Sequence, residues 1–290
     1  MRVLIAGCGY VGTALGEELA GAGHVVWGLR RDPTGLPAPL HPIAADLTDP
    51  STLDALPGEV DRVVYAASPA EASDRGYADA YVRGLENLLR SLERRGARIG
   101  RALLTTSTAV YAQSDGAWVD EASPTEPTHF SGKRLLEGEQ VLASSPHPTV
   151  AVRLAGIYGP GRTGMLRRVR DGEARCPALP RYSNRIHRTD CAGFLAHLLL
   201  HPDPASVYIG ADDAPVELCE AYGWIADRLG VPRPERESPN QSAGDGRRGR
   251  SNKRCRNDRL HASGYALRVP TYREGYAPLI DALTDHHAKP

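Results

Sequence analysis

The chain has 290 residues, 41% of them hydrophobic and 24% charged, an ordinary globular composition with room for one large domain or two intimate lobes. Its 35 basic and 35 acidic residues cancel, which excludes a whole-molecule field that steers nucleic acids or membrane surfaces and makes any anion site a local one. The five cysteines (Cys8, Cys176, Cys191, Cys219 and Cys255) show no C-x-x-C or Cys/His metal spacing, and no apolar run suits a signal peptide or a bilayer span, so a reduced, cytoplasmic protein without a metal is expected.

In chain order, short apolar runs at residues 3–6, 25–29, 63–66, 102–106 and 150–154 read as strands. Between them, residues 13–22, 77–95 and 132–144 carry apolar side chains at three- and four-residue spacing, the mark of helices that cover a sheet. Strands separated by helices imply parallel crossovers, so the predicted fold class is α/β, a doubly wound parallel sheet of the Rossmann type. From Tyr158 the pattern loosens into Gly and Pro turns, with a helical run at 192–201, a short strand at 207–210 and a helix over 216–229. The expected division is a dinucleotide-binding domain over residues 1–157, to which 186–203 return, and a smaller substrate-binding lobe over 158–290. Residues 234–259 are polar and basic, broken by Gly244, Gly246 and Gly249, and read as a mobile loop.

Gly7-Cys8-Gly9-Tyr10-Val11-Gly12 fits G-x-G-x-x-G between the first strand and a helix that begins near Tyr10. The chemistry needs Gly7 for a tight turn, Gly9 so that the backbone approaches a pyrophosphate, and Gly12 for close packing of helix on strand. A nicotinamide dinucleotide is the expected ligand. About 20 residues past the glycines an acidic side chain would accept from the ribose hydroxyls of NAD; here the second strand runs into Arg30 and Arg31, whose guanidinium groups suit a 2′-phosphate. NADP is therefore favoured, with NAD left open if Asp32 takes the ribose. Asp46, followed by Leu47, is either an acceptor for the adenine amino group or a turn cap.

The glycine loop, Asp46-Leu47, Ala66-Ala67-Ser68, Ser107-Thr108-Ala109-Val110-Tyr111, Arg153 through Gly159-Pro160 and His187-Arg188-Thr189-Asp190 together resemble the extended short-chain dehydrogenase/reductases, the NAD-dependent epimerase/dehydratase group, over nearly the whole chain. The resemblance implies cofactor contacts by Ala66, Ala67 and Ser68 as well as by the loop, and substrate contacts by Arg188. It also implies that Ser107, three residues before the Val-Tyr pair, orients a substrate oxygen, and that Lys133 meets the nicotinamide ribose. The family's acid/base tyrosine, four residues before that lysine, is His129 in this chain. Histidine titrates near neutral pH and can exchange a proton; the other reading is a loop residue without a role. Tyr111 is the alternative proton donor, or else a packed aromatic whose hydroxyl meets a polar neighbour. Thr108 and Ala109 stand where 4,6-dehydratases of the family carry Asp-Glu, and Gly156 stands where its sugar-nucleotide enzymes carry Asn, which argues against a dehydratase and a standard nucleotide-sugar contact.

Arg162, after a Gly-Pro-Gly turn, is expected to meet an anionic group on the substrate or a carboxylate of the lobe. His197 and His201 read as a helix-face pair, His286 and His287 carry no metal signature, and the arginines and lysine between 247 and 256 read as a solvated loop. The expected function is an NADP-dependent oxidoreductase or epimerase that moves a hydride to or from a small hydroxy or carbonyl substrate, anionic if Arg162 meets it. The alternative is a non-catalytic NADP-binding sensor or scaffold, to be preferred if neither His129 nor Tyr111 reaches the site. No nucleic-acid or membrane partner is expected; the resemblance implies a homodimer through helices 77–95 and 132–144.

Overall fold

Alternating short strands and amphipathic helices fold as their spacing dictates, because each strand's apolar faces need cover from a crossover helix. The structure, a computed structural model, describes residues 1–238 and 252–285. In chain order its strands are β1 (Arg2–Ala6), β2 (Val25–Arg30), β3 (His41–Ala44), β4 (Arg62–Tyr65), β5 (Arg101–Ser107), β6 (Ala117–Val119), β7 (Thr149–Leu154), β8 (Gly156–Tyr158), β9 (Tyr182–Ser183), β10 (Arg185–His187), β11 (Val207–Gly210), β12 (Val216–Glu217) and β13 (Lys253–Cys255). The helices are α1 (Tyr10–Gly21), α2 (Asp74–Ala78), α3 (Gly84–Arg94), α4 (Phe130–Ala143), α5 (Gly164–Arg170), α6 (Arg188–Leu200), α7 (Leu218–Leu229), α8 (Asp258–Ala262) and α9 (Tyr272–Asp285).

Seven strands form one sheet in the order β11-β7-β5-β4-β1-β2-β3, every neighbouring pair parallel. The strand order reverses between β1 and β4, which is where a doubly wound sheet opens a crevice. Side chains alternate across β1: Val3 and Ile5 pack with Leu15, Leu19, Phe194 and Leu198 on one face, Leu4 and Ala6 with Leu85, Leu88 and Leu92 on the other. A separate core is formed by the second half of the chain, in which Leu166 and Val169 of α5 pack with Tyr222 and Ile225 of α7 and Tyr276 and Ile280 of α9.

Several elements depart from the sequence reading. The strand at 207–210, expected in the lobe, is β11, the edge of the main sheet beside β7. The predicted helix at 77–95 is α2, a π turn at Asp79–Arg83 and α3. The Tyr65 hydroxyl donates to the Ala80 carbonyl, so the Gly84 N–H donates to the Asp79 carbonyl, five residues back. Gly84 must be small, since a Cβ there would lie 2.6 Å from that hydroxyl. Part of the expected loop 234–259 is ordered: β13 pairs with β6, and α8 begins at Asp258. Residues 239–251 of that loop, and His286 and His287, lie outside the described residues. Cys176 and Cys219 are joined as a disulfide with Cα atoms 5.1 Å apart, which corrects the expectation of five reduced thiols; Cys8, Cys191 and Cys255 are free and buried. No spacing rule pairs cysteines 43 residues apart.

Asp190, fully buried in the first turn of α6, ties the C-terminal segment to the sheet. It accepts from the Tyr265 hydroxyl at 3.0 Å and from the backbone N–H groups of Arg268 at 2.7 Å and Val269 at 3.0 Å. Asp190→Ala leaves the buried Tyr265 hydroxyl and two part-buried N–H groups unpaired, and the expected destabilisation is about 2–3 kcal/mol. Chemical denaturation checks it; a loss under about 1 kcal/mol would mean that the segment is held by other contacts.

Candidate cofactor and active site

A cavity of about 1150 Å³ opens at the carboxyl ends of β1, β2, β4, β5 and β7, at the topological switch point. Its lining includes Gly7, Gly9, Tyr10 and Val11 at the centre, Arg30, Arg31, Asp32, Asp46 and Leu47 at one end, and Ala66, Ala67, Ser68, Tyr77, Tyr81, Ser107 and Arg162 beyond.

The centre is built by close approach. Gly7 has φ +86°, and a Cβ there would stand 2.2 Å from the Ala67 nitrogen. A Cβ on Gly12 would stand 2.8 Å from the Gly7 carbonyl oxygen and 3.0 Å from Ile5, so only glycine lets α1 come this near to β1. Gly9, by contrast, has only the Gly7 carbonyl, at 4.0 Å, within reach of such a Cβ, which leaves its backbone open to the cavity. The first turn of α1 has neither a side-chain cap nor an acidic residue. Its N–H groups and positive dipole end suit a pyrophosphate. A Cβ at Gly7 or Gly12 would collide with this cradle, and the donor set fits a dinucleotide.

At the β2 end neither Arg30 nor Arg31 makes an ion pair with any described residue, and both line the cavity. Asp32 turns back on its own loop: its Oδ1 accepts from Thr34 N at 3.0 Å and from Thr34 Oγ1 at 2.6 Å, and these bonds hold the carboxyl below its ordinary range. Asp46 does the same with Thr48, at 2.9 and 2.7 Å, so one of its oxygens caps a turn.

At the far end Ser107 closes β5, and its Oγ accepts from Ala109 N at 3.2 Å. Three residues expected beside it do not line the cavity. Tyr111 is buried, and its hydroxyl accepts from Arg153 at 2.9 Å. Arg153 is in turn paired with Glu139 at 2.7 Å, and burial pushes the phenol up to about 12. His129 caps α4, its Nδ1 accepting from Ser131 N at 3.2 Å, and its ring packs on Phe130. Lys133 is exposed on α4. Arg188 also lies outside the lining, stacked on Tyr10.

Sequence reasoning missed Tyr77 and Tyr81, which reach the cavity from α2 and the π turn with ring centroids 5.6 Å apart. Their four-residue spacing is a signal that both share a helix face, but the face turned to the cavity depends on the turn that Tyr65 imposes. The described part of the basic loop is engaged as well, with Arg254 over the Trp118 and Tyr182 rings and Arg256 over Trp118. Among the described residues no group of three metal-ligating side chains occurs, and no helix is long and apolar enough to cross a membrane.

The sequence profile of the NAD dependent epimerase/dehydratase family matches residues 3–190. The chain belongs to that family. A protein of Methylobacillus flagellatus assigned to the NAD-dependent epimerase/dehydratases shares 38% identity, with 98% of each chain covered and a TM-score of 0.81. The fold is also that of human epimerase family protein SDR39U1, solved with NADPH (23% identity, 97% and 99% covered, TM-score 0.80). It is shared by Thermus thermophilus UDP-glucose 4-epimerase, solved with NAD (21% identity, 98% and 99% covered, TM-score 0.78). No curated protein matches the sequence.

The buried contact of Tyr111 gives a direct test. Tyr111→Phe leaves a guanidinium N–H of Arg153 unpaired and should cost about 1–3 kcal/mol of stability, while dinucleotide affinity measured by calorimetry stays at the wild-type value. A variant of unchanged stability that loses affinity would put this phenol in the site.

Proposed function

We propose that this chain binds NADP and acts as an oxidoreductase or epimerase on a small hydroxy or carbonyl compound. The single observation that carries the reading is the glycine cradle opening into a cavity that also holds Arg30, Arg31, Ser107 and Tyr81. When bound, the nicotinamide supplies or accepts the hydride. Gly7, Gly9, Tyr10 and Val11 would hold the pyrophosphate, and Ala66, Ala67 and Ser68 would line the path toward Ser107. Arg30 and Arg31 would pair with a 2′-phosphate, a reading supported by neither making an ion pair with a described residue and by Asp32 being folded onto Thr34. Ser107 donates to the substrate oxygen and positions it. Tyr81, a phenol that lines the same cavity with Ser107, is assigned the proton exchange in place of Tyr111 and His129. Burial holds that phenol above its ordinary range, so it stays protonated near neutral pH and is suited to donate to an oxygen that gains electrons. Self-association through the faces of α3 and α4 remains part of the proposal.

A second reading, a cofactor-binding sensor without turnover, meets the condition that the sequence set for it, since neither Tyr111 nor His129 lines the cavity and Lys133 is exposed; only Tyr81 keeps the catalytic reading ahead of it. NADPH oxidation against a panel of aldehydes and ketones separates the two. Turnover that Tyr81→Phe lowers at least tenfold, with NADPH affinity kept, is the expected result; tight NADPH binding with no turnover across the panel would leave the sensor reading in its place.

Cofactor preference is tested independently. NADPH should bind more tightly than NADH by about 1–3 kcal/mol, the worth of charge-assisted pairing with a 2′-phosphate, and Arg30→Asp should remove or reverse the difference. Equal affinities of the wild type in calorimetry would reject the NADP assignment.

A further inference from the structure

Two arginines from the second half of the chain meet on one ring of the glycine loop. The guanidinium carbon of Arg162 lies 4.2 Å from the centroid of Tyr10, and that of Arg188 lies 4.8 Å from it. Tyr10 is the first residue of α1, next to Gly9, and its hydroxyl donates to the Pro160 carbonyl at 2.9 Å. This junction needs Gly159, at φ +142°, because a Cβ there would stand 3.0 Å from both the Tyr10 hydroxyl and His187 Nε2. The turn that carries Arg162 is thereby pinned against the glycine loop.

The charges are unbalanced. Arg2, Arg134, Arg153 and Arg268 each have a carboxylate within 3 Å, whereas neither Arg162 nor Arg188 makes an ion pair with any described residue. Two like charges on one aromatic ring repel each other, and no carboxylate of a described residue paired with either relieves that repulsion. A neighbouring anion would balance it. His187 beside them does not add to the positive charge near neutral pH, because burial holds its imidazole below its ordinary range. Arg162 lines the cavity alongside Gly9 and Tyr10.

We propose that Arg162, backed by Arg188 across Tyr10, clamps the pyrophosphate of the bound dinucleotide from the side opposite the glycine loop. The inference rests on the dinucleotide reading above and assigns Arg162 to the cofactor rather than to an anion on the substrate. A pyrophosphate on Gly9 lies within one residue of the ring that both guanidinium groups cover, whereas the substrate end of the cavity is marked by Ser107 and Tyr81. Arg162 makes the direct contact. Arg188, which does not line the cavity, holds the ring and adds its field.

Calorimetry with NADPH, NADH and ADP on the full chain tests this. Arg162→Gln should weaken all three by about tenfold, alike for phosphorylated and unphosphorylated ribose, because all three carry the pyrophosphate. Arg188→Gln should weaken them by about threefold, and Arg162→Lys should recover part of the loss. Arg30→Asp, in contrast, should act on NADPH alone. The wild-type affinity for NADH should also fall more steeply with salt than that of Arg162→Gln. Unchanged NADH and ADP affinity in Arg162→Gln, with the wild type binding, overturns the clamp and leaves the dinucleotide reading standing. A wild type that binds none of the three overturns both. Each variant should melt with the wild type; if instead the affinity losses of Arg162→Gln, Arg162→Lys and Arg188→Gln follow their losses of melting temperature, the arginines act on the fold and the clamp is rejected.

Discussion

Gly7 lies so close to the Ala66–Ala67 backbone that no side chain fits, and the site depends on that contact. Where the strand order reverses, β1 and β4 must send their chains apart on opposite faces of the sheet, and a side chain at the turn would collide with the Ala67 backbone across the crevice. With the turn bare, α1 can start directly over the sheet edge and direct its unpaired N–H groups into the cavity. Gly12 extends the same logic one turn further, since its missing Cβ sets the distance between helix and strand. The positions of Tyr10 on the helix and of Ala67 across the crevice follow from these two approaches.

A second constraint acts at the other end of the cavity. Glu139 and Arg153 form an ion pair whose side chains are 10% and 7% exposed, and such a pair tolerates burial only when its remaining hydrogen-bonding capacity is used. Thr106 donates to Glu139 at 2.8 Å and Tyr111 accepts from Arg153, which completes the network. The phenol nearest in sequence to Ser107 is thereby taken up in support of β5 and β7. The cavity is lined instead by Tyr77 of α2 and by Tyr81 of the π turn at Asp79–Arg83. Tyr65 shapes the backbone, Tyr111 completes an ion-pair network, and Tyr77 and Tyr81 line the cavity together with Tyr10 and Tyr65.

The two halves of the chain are joined by polar contacts as much as by apolar packing. Asp190 collects two backbone N–H groups and a phenol from the C-terminal segment, and Arg101 donates to the carbonyls of Leu198, Leu199 and His201 at the end of α6. Helix α6 packs on α1, so the helix that begins beside the glycine loop is braced by the segment that brings Arg188 to it. The Gly159–Pro160 turn reaches the same ring from the lobe. The cavity therefore sits where three segments distant in sequence meet at Tyr10.

Local rules made much of this legible in advance. The five strands read from apolar runs lie within a residue of their observed bounds, and the glycine spacing named the turn, because backbone conformation and near-neighbour sterics act over a few residues. The arginines at the end of β2 were legible for the same reason. What the sequence could not decide were the partners supplied by distant segments: β11 as an edge of the main sheet, β13 beside β6, Cys176 near Cys219, the π turn at Asp79–Arg83, and the engagement of Tyr111 by Arg153. The chemistry of a phenol, a carboxylate or a guanidinium depends on its burial and on the charge beside it, and both come from residues tens to hundreds of positions away that only packing brings together. Sequence determined that a dinucleotide cradle stands at the head of a doubly wound sheet; tertiary structure decided which tyrosines and arginines face it.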